Sequence, residues 1–318
     1  MKITDVRALP ISFSIPSEFQ VSLGIGRTIK RDAVLVRVET ADGFVGWGES
    51  HAARAPTAIA ELINTTLRSL IIGMVADDIG AVWNRIYDRQ LASHGAGTAS
   101  IIAMSGIDIA LWDIKGKRAE RPVYELLGGA LRQVPAYAGG IALGYQPRDE
   151  LRRELDRVLN SGYTALKLRL GDALDQDEER VVAARAHVGD AVAILTDANT
   201  AYDLPAVARM APTLESNNVL WLEEPFPAHA YQDYIAAAKQ LSVPLAAGEN
   251  HYARFDFERV RDDGAITIWQ PDVSKAGGLS EILRIASMAQ DLDITIHPHT
   301  SVTRVNMAAS LHLLCALS

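Results

Sequence analysis

The sequence predicts an α/β fold: a (β/α) barrel preceded by an N-terminal α+β capping domain. Three observations predict it. From residue 134 onward, short apolar runs alternate strictly with longer amphipathic stretches, the pattern of parallel strands joined by crossover helices. No glycine-rich dinucleotide fingerprint interrupts that pattern, which favours a barrel over a doubly wound open sheet. Before residue 130 the order is strands first and helices after, the mark of an α+β unit. The division is expected within LLGGALRQ, giving a cap over 1–130 and a barrel over 131–318.

The cap opens with KITDVRALPISF and DAVLVRVET, then a turn at Ala41-Asp42-Gly43 and the run FVGWGES. An Asp-Gly pair between β-branched and aromatic runs is a hairpin signal. Helical spacing of apolar residues follows in PTAIAELINTTLRSLI, IGAVWNRIYDRQL and ASIIAMSGIDIALWDIKGK. In the barrel the expected strands are VPAYAGG, TALKLRL, VAILTDA, VLWLEEPF, VPLAAGE, AITIWQPDV and DITIHPHT, with amphipathic helices between them. The last strand is followed by the helical pattern RVNMAASLHLLCALS, so the eighth strand of a full barrel is not evident and the barrel is expected to be incomplete at its C-terminus.

Composition narrows the function classes. Of 318 residues 48% are hydrophobic and 22% charged, an ordinary soluble globular balance. Lys and Arg total 31 against 39 Asp and Glu, a net charge of −8, which argues against nucleic acid or an anionic membrane as partner. The single cysteine, Cys315, excludes an intramolecular disulfide and a Cys-rich zinc site and fits a reducing cytoplasm. MKITDVRALPISF lacks the basic start and apolar run of a signal peptide, and no apolar stretch reaches the ~20 residues of a membrane span. A cytoplasmic homo-oligomer acting on a small molecule is expected.

Barrel chemistry sits at the C-terminal ends of the strands. Those ends carry Lys167 and Arg169, Asp197 and Asn199, Glu223 and Glu224, Glu249 and Asn250, Asp272 and Lys275, then His297 and His299. Asp197, Glu223 and Glu249 are spaced 26 residues apart, one strand–helix repeat, which puts them on three consecutive strands at equivalent heights. Three converging carboxylates repel unless a cation sits among them, and all-oxygen ligands favour Mg²⁺ over zinc. Lys167 and Arg169, two apart on one strand, share the inward face. His299 gains a role from Asp272, which ends the preceding strand and could hold its ring. Glu224 alternates away from Glu223 and is expected to be a structural ion-pair partner. His51, His94, His187, His229 and His312 have no such support and are expected on the surface or in the core.

The order of these motifs resembles the enolase superfamily, in particular its mandelate racemase subgroup, over essentially the whole chain. SGIDIALWDIKGKRAERPVYELLGG is similar to the family signature at the cap–barrel junction, and TDAN, LEEP, GEN and PDVSKAGG to its strand ends. The resemblance implies that Asp197, Glu223 and Glu249 bind Mg²⁺ and that Asp272 with His299 is the acid/base dyad. The superfamily's use of a Lys or His base with Mg²⁺ is a known property of the superfamily and is not read from these residues. In the lysine-based subgroup a catalytic Lys stands three residues before the Lys of KxGG. Here that position is Asp272, which favours the His–Asp branch. Two departures matter: the family's K-x-K on the second barrel strand is K-x-R here, and arginine is a poor proton acceptor; and the eighth strand, which in similar proteins carries an acidic residue contacting the substrate carboxylate, is not evident.

Taken together, the implied reaction is abstraction of a proton α to a carboxylate, with His299 as base and Lys167 and Arg169 orienting substrate. The main expectation is dehydration of a sugar acid to a 2-keto-3-deoxy acid. Racemisation and lactone cycloisomerisation are the nearest alternatives; a Schiff-base aldolase using Lys167 and a non-catalytic binding protein stand further off. Asn199, Lys275 and His297 are expected to contact the substrate, as is Lys30 in a cap loop near 16–30, where Arg27 and Arg31 also fall. A second specificity loop is expected near 50–56.

Overall fold

A computed structural model describes residues 1–17, 20–23, 26–94, 97–139, 146–300 and 302–317, with 21–23 described for their backbone only. Parts of the expected 16–30 loop (18–19 and 24–25) and Gly140 of the first expected barrel strand lie outside the described residues.

The cap is built on an antiparallel sheet of β1 (Ile3–Ser14), β4 (Lys30–Thr40) and β5 (Val45–His51), in the order β1-β4-β5. A small hairpin of β2 (Val21–Leu23) and β3 (Gly26–Thr28) precedes β4. The Asp42-Gly43 turn joins β4 to β5 as the sequence predicts: Gly43 takes φ +86°, and the Thr40 hydroxyl donates to Asp42 at 2.6 Å.

Register gives the cap sheet two distinct faces. Val34, Val36 and Val38 pair with Ser50, Gly48 and Gly46, and this face packs on the helix Thr98–Ala119. The approach is close: a Cβ on Gly46 or Gly48 would lie 2.0 Å from the carbonyl oxygens of Ala110 or Gly106. Paired residues share a side, so Arg31, Ala33 and Leu35, with Glu49 opposite Leu35 and His51 opposite Ala33, occupy the other face.

Six parallel strands follow: β6 (Ala165–Arg169), β7 (Ala193–Asp197), β8 (Val219–Glu223), β9 (Leu245–Ala247), β10 (Ile268–Trp269) and β11 (Thr295–Ile296). They form one sheet in the order β11-β10-β9-β8-β7-β6, with a helix in every crossover. The expected first strand, VPAYAGG, reduces among its described residues to a single parallel bridge from Ala138 to Leu166, with Ala138 bonded to Ala165 and Lys167. After β11 comes the helix Arg304–Ala316, and no strand follows it among the described residues. Nor is any described helix long and apolar enough to cross a membrane.

Cap and barrel each enclose a large apolar core, and Trp112 packs against both. The seam between them is polar. Ser105 accepts from Gly277 N–H (2.8 Å), Asp108 from Ser280 N–H (3.0 Å), and Trp112 donates to the Ser280 hydroxyl (2.9 Å). Trp83 lies between the Arg254 and Arg284 guanidiniums, 5.1 and 4.6 Å from its ring, and both arginines pair with the buried Glu281.

Candidate active site

The site forms where the ends of β6–β11 meet the barrel-facing side of the cap sheet. Asp197 and Glu223 close β7 and β8 and pair directly in register. Glu249 departs from the equal height that its spacing implies. Glu223 pairs with Ala246, so Glu249 lies three residues further along, beyond the end of β9. Gly248 makes that turn at φ +153°, where a Cβ would collide with the Gln270 backbone at 2.4 Å. The three carboxylates still act on one another: burial, with Asp197 and Glu249 adding to it, pushes the Glu223 carboxyl up despite Lys167.

Two cations rise from the inward face of β6, as the spacing predicts. The buried Lys167 ammonium donates to Asp197 (3.0 Å) and Glu223 (2.6 Å). Arg169 pairs with Asp197 and reaches Asn199 Oδ1 at 3.4 Å, while its buried Nε–H has no acceptor. Burial works against both charges, but Asp197 and Glu223 hold Lys167 and Arg169 above their ordinary values. Glu223 is further fixed by Gln270 (2.7 Å) and the Trp221 indole (3.2 Å).

Across the sheet lies the expected pair. Asp272 and His299 stand side by side in a parallel bridge, and the ring Nδ1 lies 2.6 Å from Asp272 Oδ2. The other Asp272 oxygen accepts from Ser274 N–H (2.7 Å), the Ser274 hydroxyl (2.6 Å) and Asn306 Nδ2 (3.0 Å). Burial opposes its charge, yet the His299 contact and these donors hold the carboxyl down at about 2. His299 Nε2 lies 2.9 Å from Glu249. Burial disfavours the imidazolium, but Glu249 and Asp272 push it up to about 9. Lys275 sits 3.5 Å from Glu249 and 3.4 Å from Asn250 Oδ1.

Not every residue expected here arrives in the way foreseen. Lys30 turns to solvent and pairs with Asp32 at 2.8 Å; its neighbour Arg31, on the opposite face of β4, is the one half-buried near Arg169. His297 lies against Trp221, with ring centroids 5.0 Å apart, and burial lowers its basicity. Glu224 makes no ion pair among the described residues. Instead Asn250 donates to both of its oxygens (3.1 and 2.8 Å), and burial with Glu249 and Asp197 nearby holds the carboxyl well above its ordinary value.

Several residues that sequence reasoning passed over belong here. His51 lies among Lys275, Asp272 and His299; burial and Lys275 push it down to about 4, and its Nδ1 accepts from Ala53 N–H (3.0 Å). Glu49 accepts from Asn306 N–H (3.0 Å) and the Thr303 hydroxyl, which ties the cap to the residue that holds Asp272. Tyr137 packs edge-on against Trp221, next to Lys167.

Among the described residues no three His, Cys, Asp or Glu side chains gather at metal-binding spacing; the acidic strand ends are bridged by Lys167, Arg169, Lys275 and His299. The donor set nonetheless fits a hard divalent cation: oxygen atoms only, at the ends of two consecutive strands and just past the end of the next, with mutual repulsion that added positive charge relieves.

Comparison with known proteins agrees with this architecture. Residues 11–128 match the mandelate racemase / muconate lactonizing enzyme N-terminal domain, and residues 150–318 the enolase C-terminal domain-like family. The chain belongs to the mandelate racemase / muconate lactonizing enzyme family of the enolase superfamily. It is 32% identical to an arabinonate dehydratase of Saccharolobus solfataricus, covering 99% of this chain and 86% of that protein. Other relatives are named D-galactonate dehydratase and D-galactarolactone cycloisomerase. An enolase-superfamily structure from Polaromonas sp. JS666 superposes with a TM-score of 0.97 at 51% identity, covering all of this chain and 84% of that one. A racemase from Streptomyces coelicolor A3(2), solved with bound magnesium, superposes at 0.92 with 30% identity over 99% of this chain and 87% of its own.

Proposed function

We propose that the chain is a Mg²⁺-dependent lyase that removes the proton α to the carboxylate of a sugar acid and expels the β-hydroxyl, giving a 2-keto-3-deoxy acid. Asp197, Glu223 and Glu249 would hold the ion, and when bound it supplies positive charge beside carboxylate oxygens that grow more negative as the α-proton leaves.

The observation that carries this reading is the Asp272–His299 pair. With Nδ1 committed to Asp272, Nε2 is the ring atom left to exchange a proton, and it faces the acidic strand ends through Glu249. His299 Nε2 takes the α-proton and returns it to the departing β-oxygen as water; the enol that remains tautomerises to the ketone. Asn306, Ser274 and Glu49 keep the pair oriented. Lys167 and Arg169 orient substrate oxygens from β6, at the other edge of the sheet, with Asn199 beside Arg169, while Lys275 and His297 contact the substrate from the β10 and β11 side.

Arginine stays protonated at any working pH, so Arg169 offers no second base on β6, and this supports one-sided chemistry over racemisation. A Schiff-base aldolase needs a neutral amine, which two salt bridges deny Lys167. Opening of a sugar-acid lactone by the same proton step is the second reading, favoured by likeness to a cycloisomerase over the whole chain. We place the division between cap and barrel at 130/131, where Ala130 N–H bonds to Cys315 of the last helix at 3.2 Å.

The test is α-proton exchange in deuterium oxide and 2-keto acid formation across a panel of sugar acids. Both are expected to require Mg²⁺, to stop with chelator and to vanish in His299→Asn. Exchange of both C2 epimers at comparable rates, with one surviving His299→Asn, would transfer the assignment to a racemase.

A further inference from the structure

Every carboxylate oxygen of Asp197 and Glu223 carries a donor from the chain itself, and one side chain holds both residues. The buried Lys167 ammonium donates to Asp197 Oδ2 at 3.0 Å and to Glu223 Oε1 at 2.6 Å. Asp197 Oδ2 also takes the Arg169 guanidinium, while Oδ1 accepts from Asn199 N–H at 2.9 Å. Glu223 Oε2 accepts from Gln270 (2.7 Å) and the Trp221 indole (3.2 Å). A carboxylate oxygen offers two lone-pair sites, so Asp197 Oδ2 and Glu223 Oε2 are both filled. Glu223 Oε1 has a single donor among the described residues, and that donor is Lys167. Glu249 is engaged separately: Oε2 lies 2.9 Å from His299 Nε2, and Oε1 3.5 Å from Lys275. Among the described residues Lys167 alone joins two of the three carboxylates.

We infer that Lys167 is a built-in counter-ion that competes with the divalent cation for Asp197 and Glu223 and passes to the substrate carboxylate when the cation binds. This rests on the reading above that Asp197, Glu223 and Glu249 hold the ion. The lone pairs decide which side chain must move. Withdrawing Lys167 frees Glu223 Oε1 entirely and one lone pair of Asp197 Oδ2, giving one oxygen from each of two adjacent strands. Withdrawing Arg169 frees nothing on Glu223, because of the three carboxylates it touches Asp197 alone. A hard cation takes its oxygens at ~2.0–2.1 Å, so it cannot share a lone pair with an ammonium N–H. Once displaced, the Lys167 ammonium remains on the buried inward face of β6 and needs a new anionic partner, since an unpaired charge there is costly. The carboxylate of a sugar acid supplies that partner. Ion and substrate carboxylate therefore each strengthen the binding of the other, by equal factors.

The experiment titrates the full chain with Mn²⁺, reads the free ion by electron paramagnetic resonance, and repeats the titration with Mg²⁺ as competitor. Lys167→Gln is expected to bind the ion roughly 10- to 100-fold more tightly than wild type, the worth of one hydrogen bond to a charged group. Lys275→Gln is the control for charge alone: it removes an equal charge from beside Glu249, and its gain is expected to be clearly smaller. No tightening in Lys167→Gln, or an equal tightening in Lys275→Gln, overturns the competition. A second arm adds 2-hydroxyisobutyrate, a hydroxy acid without an α-proton, so that nothing turns over. It is expected to raise ion affinity more in wild type than in Lys167→Gln, because only wild type has an ammonium to hand over; equal gains overturn the hand-over. Asp197→Asn is expected to abolish ion binding. Unchanged affinity in Asp197→Asn, or no binding by any of these proteins, removes the metal reading and this inference with it. Binding that Asp197→Asn abolishes and Lys167→Gln leaves as it was overturns this inference alone. Urea midpoints report which variants are folded, and Lys167→Met takes the place of Lys167→Gln if the latter does not fold.

Discussion

Replacing Asp108 by Asn should make the protein more stable at neutral pH and leave it no more stable in mild acid. Asp108 lies in the seam on the helix Thr98–Ala119, with one oxygen accepting from Ser280 N–H and the other buried without a partner. Burial pushes its carboxyl from 3.8 up to about 7, only partly opposed by the Ser280 contacts. The folded protein therefore keeps a proton on Asp108 through a pH range in which the unfolded chain has released it. The sign follows: stability from this group is fully present below about pH 4, falls as pH rises toward 7, and is lost above that. At ~1.4 kcal/mol per pH unit the loss is about 4 kcal/mol. Asparagine retains the acceptor for Ser280 and carries no charge, so the pH-dependent loss disappears. Its unpaired amide costs ~1–3 kcal/mol at every pH and moves the variant's curve without tilting it. The assay is urea unfolding of both proteins from pH 4 to pH 8, read as the difference between their unfolding free energies. A difference rising by several kcal/mol across that range is expected; a flat one would refute a buried, proton-holding Asp108.

Two further substitutions probe the site and its scaffold. Asp272→Asn removes the carboxylate that holds His299 Nδ1 at 2.6 Å, so kcat should fall about 10²–10⁴-fold while calorimetric Mg²⁺ affinity stays nearly the same; unchanged turnover would remove the dyad from the mechanism. Gly48→Ala puts a Cβ 2.0 Å from the Gly106 carbonyl oxygen, and the overpacking should cost at least 1–3 kcal/mol of unfolding free energy by urea titration. No loss would mean that β5 is not seated on that helix.

Periodicity carried most of the fold into view. A strand–helix repeat near 26 residues is long enough to be unambiguous, and it also brings Asp197 and Glu223 into register. The misplacements cluster where a strand ends. Glu224 was expected to keep alternating beyond Glu223, but β8 stops there and Glu224 takes φ +37°, so strand parity no longer aims its side chain. Glu249 sits higher than its spacing implies because Gly248 turns the chain first. In the cap, Arg27, Lys30 and Arg31 read as a loop, so nothing told which of them faced inward; β4 beginning at Lys30 supplies the missing parity. His51 was legible in principle, two residues from Glu49 on one strand. Seeing its role needs the Ala33–His51 register and the docking of that face on the barrel, neither of which a single sequence displays.

Stability alone does not account for the barrel-facing row of the cap. Glu49 is fully buried with one oxygen unpartnered and its carboxyl pushed up by burial, His51 is pushed down by burial beside Lys275, and Arg31 is half-buried. Apolar residues at these positions would seat the cap on the barrel with less strain. Two of these polar groups meet the barrel instead: Glu49 accepts from Asn306, which donates to Asp272, and His51 lies among Lys275, Asp272 and His299. On the opposite face of the same sheet, Val34, Val36 and Val38 with Ser50, Gly48 and Gly46 lie close against one helix, which shows what the fold does where packing alone decides. That contrast across a single sheet shows packing alone shaping one face, while the other face carries buried polar groups docked against the barrel.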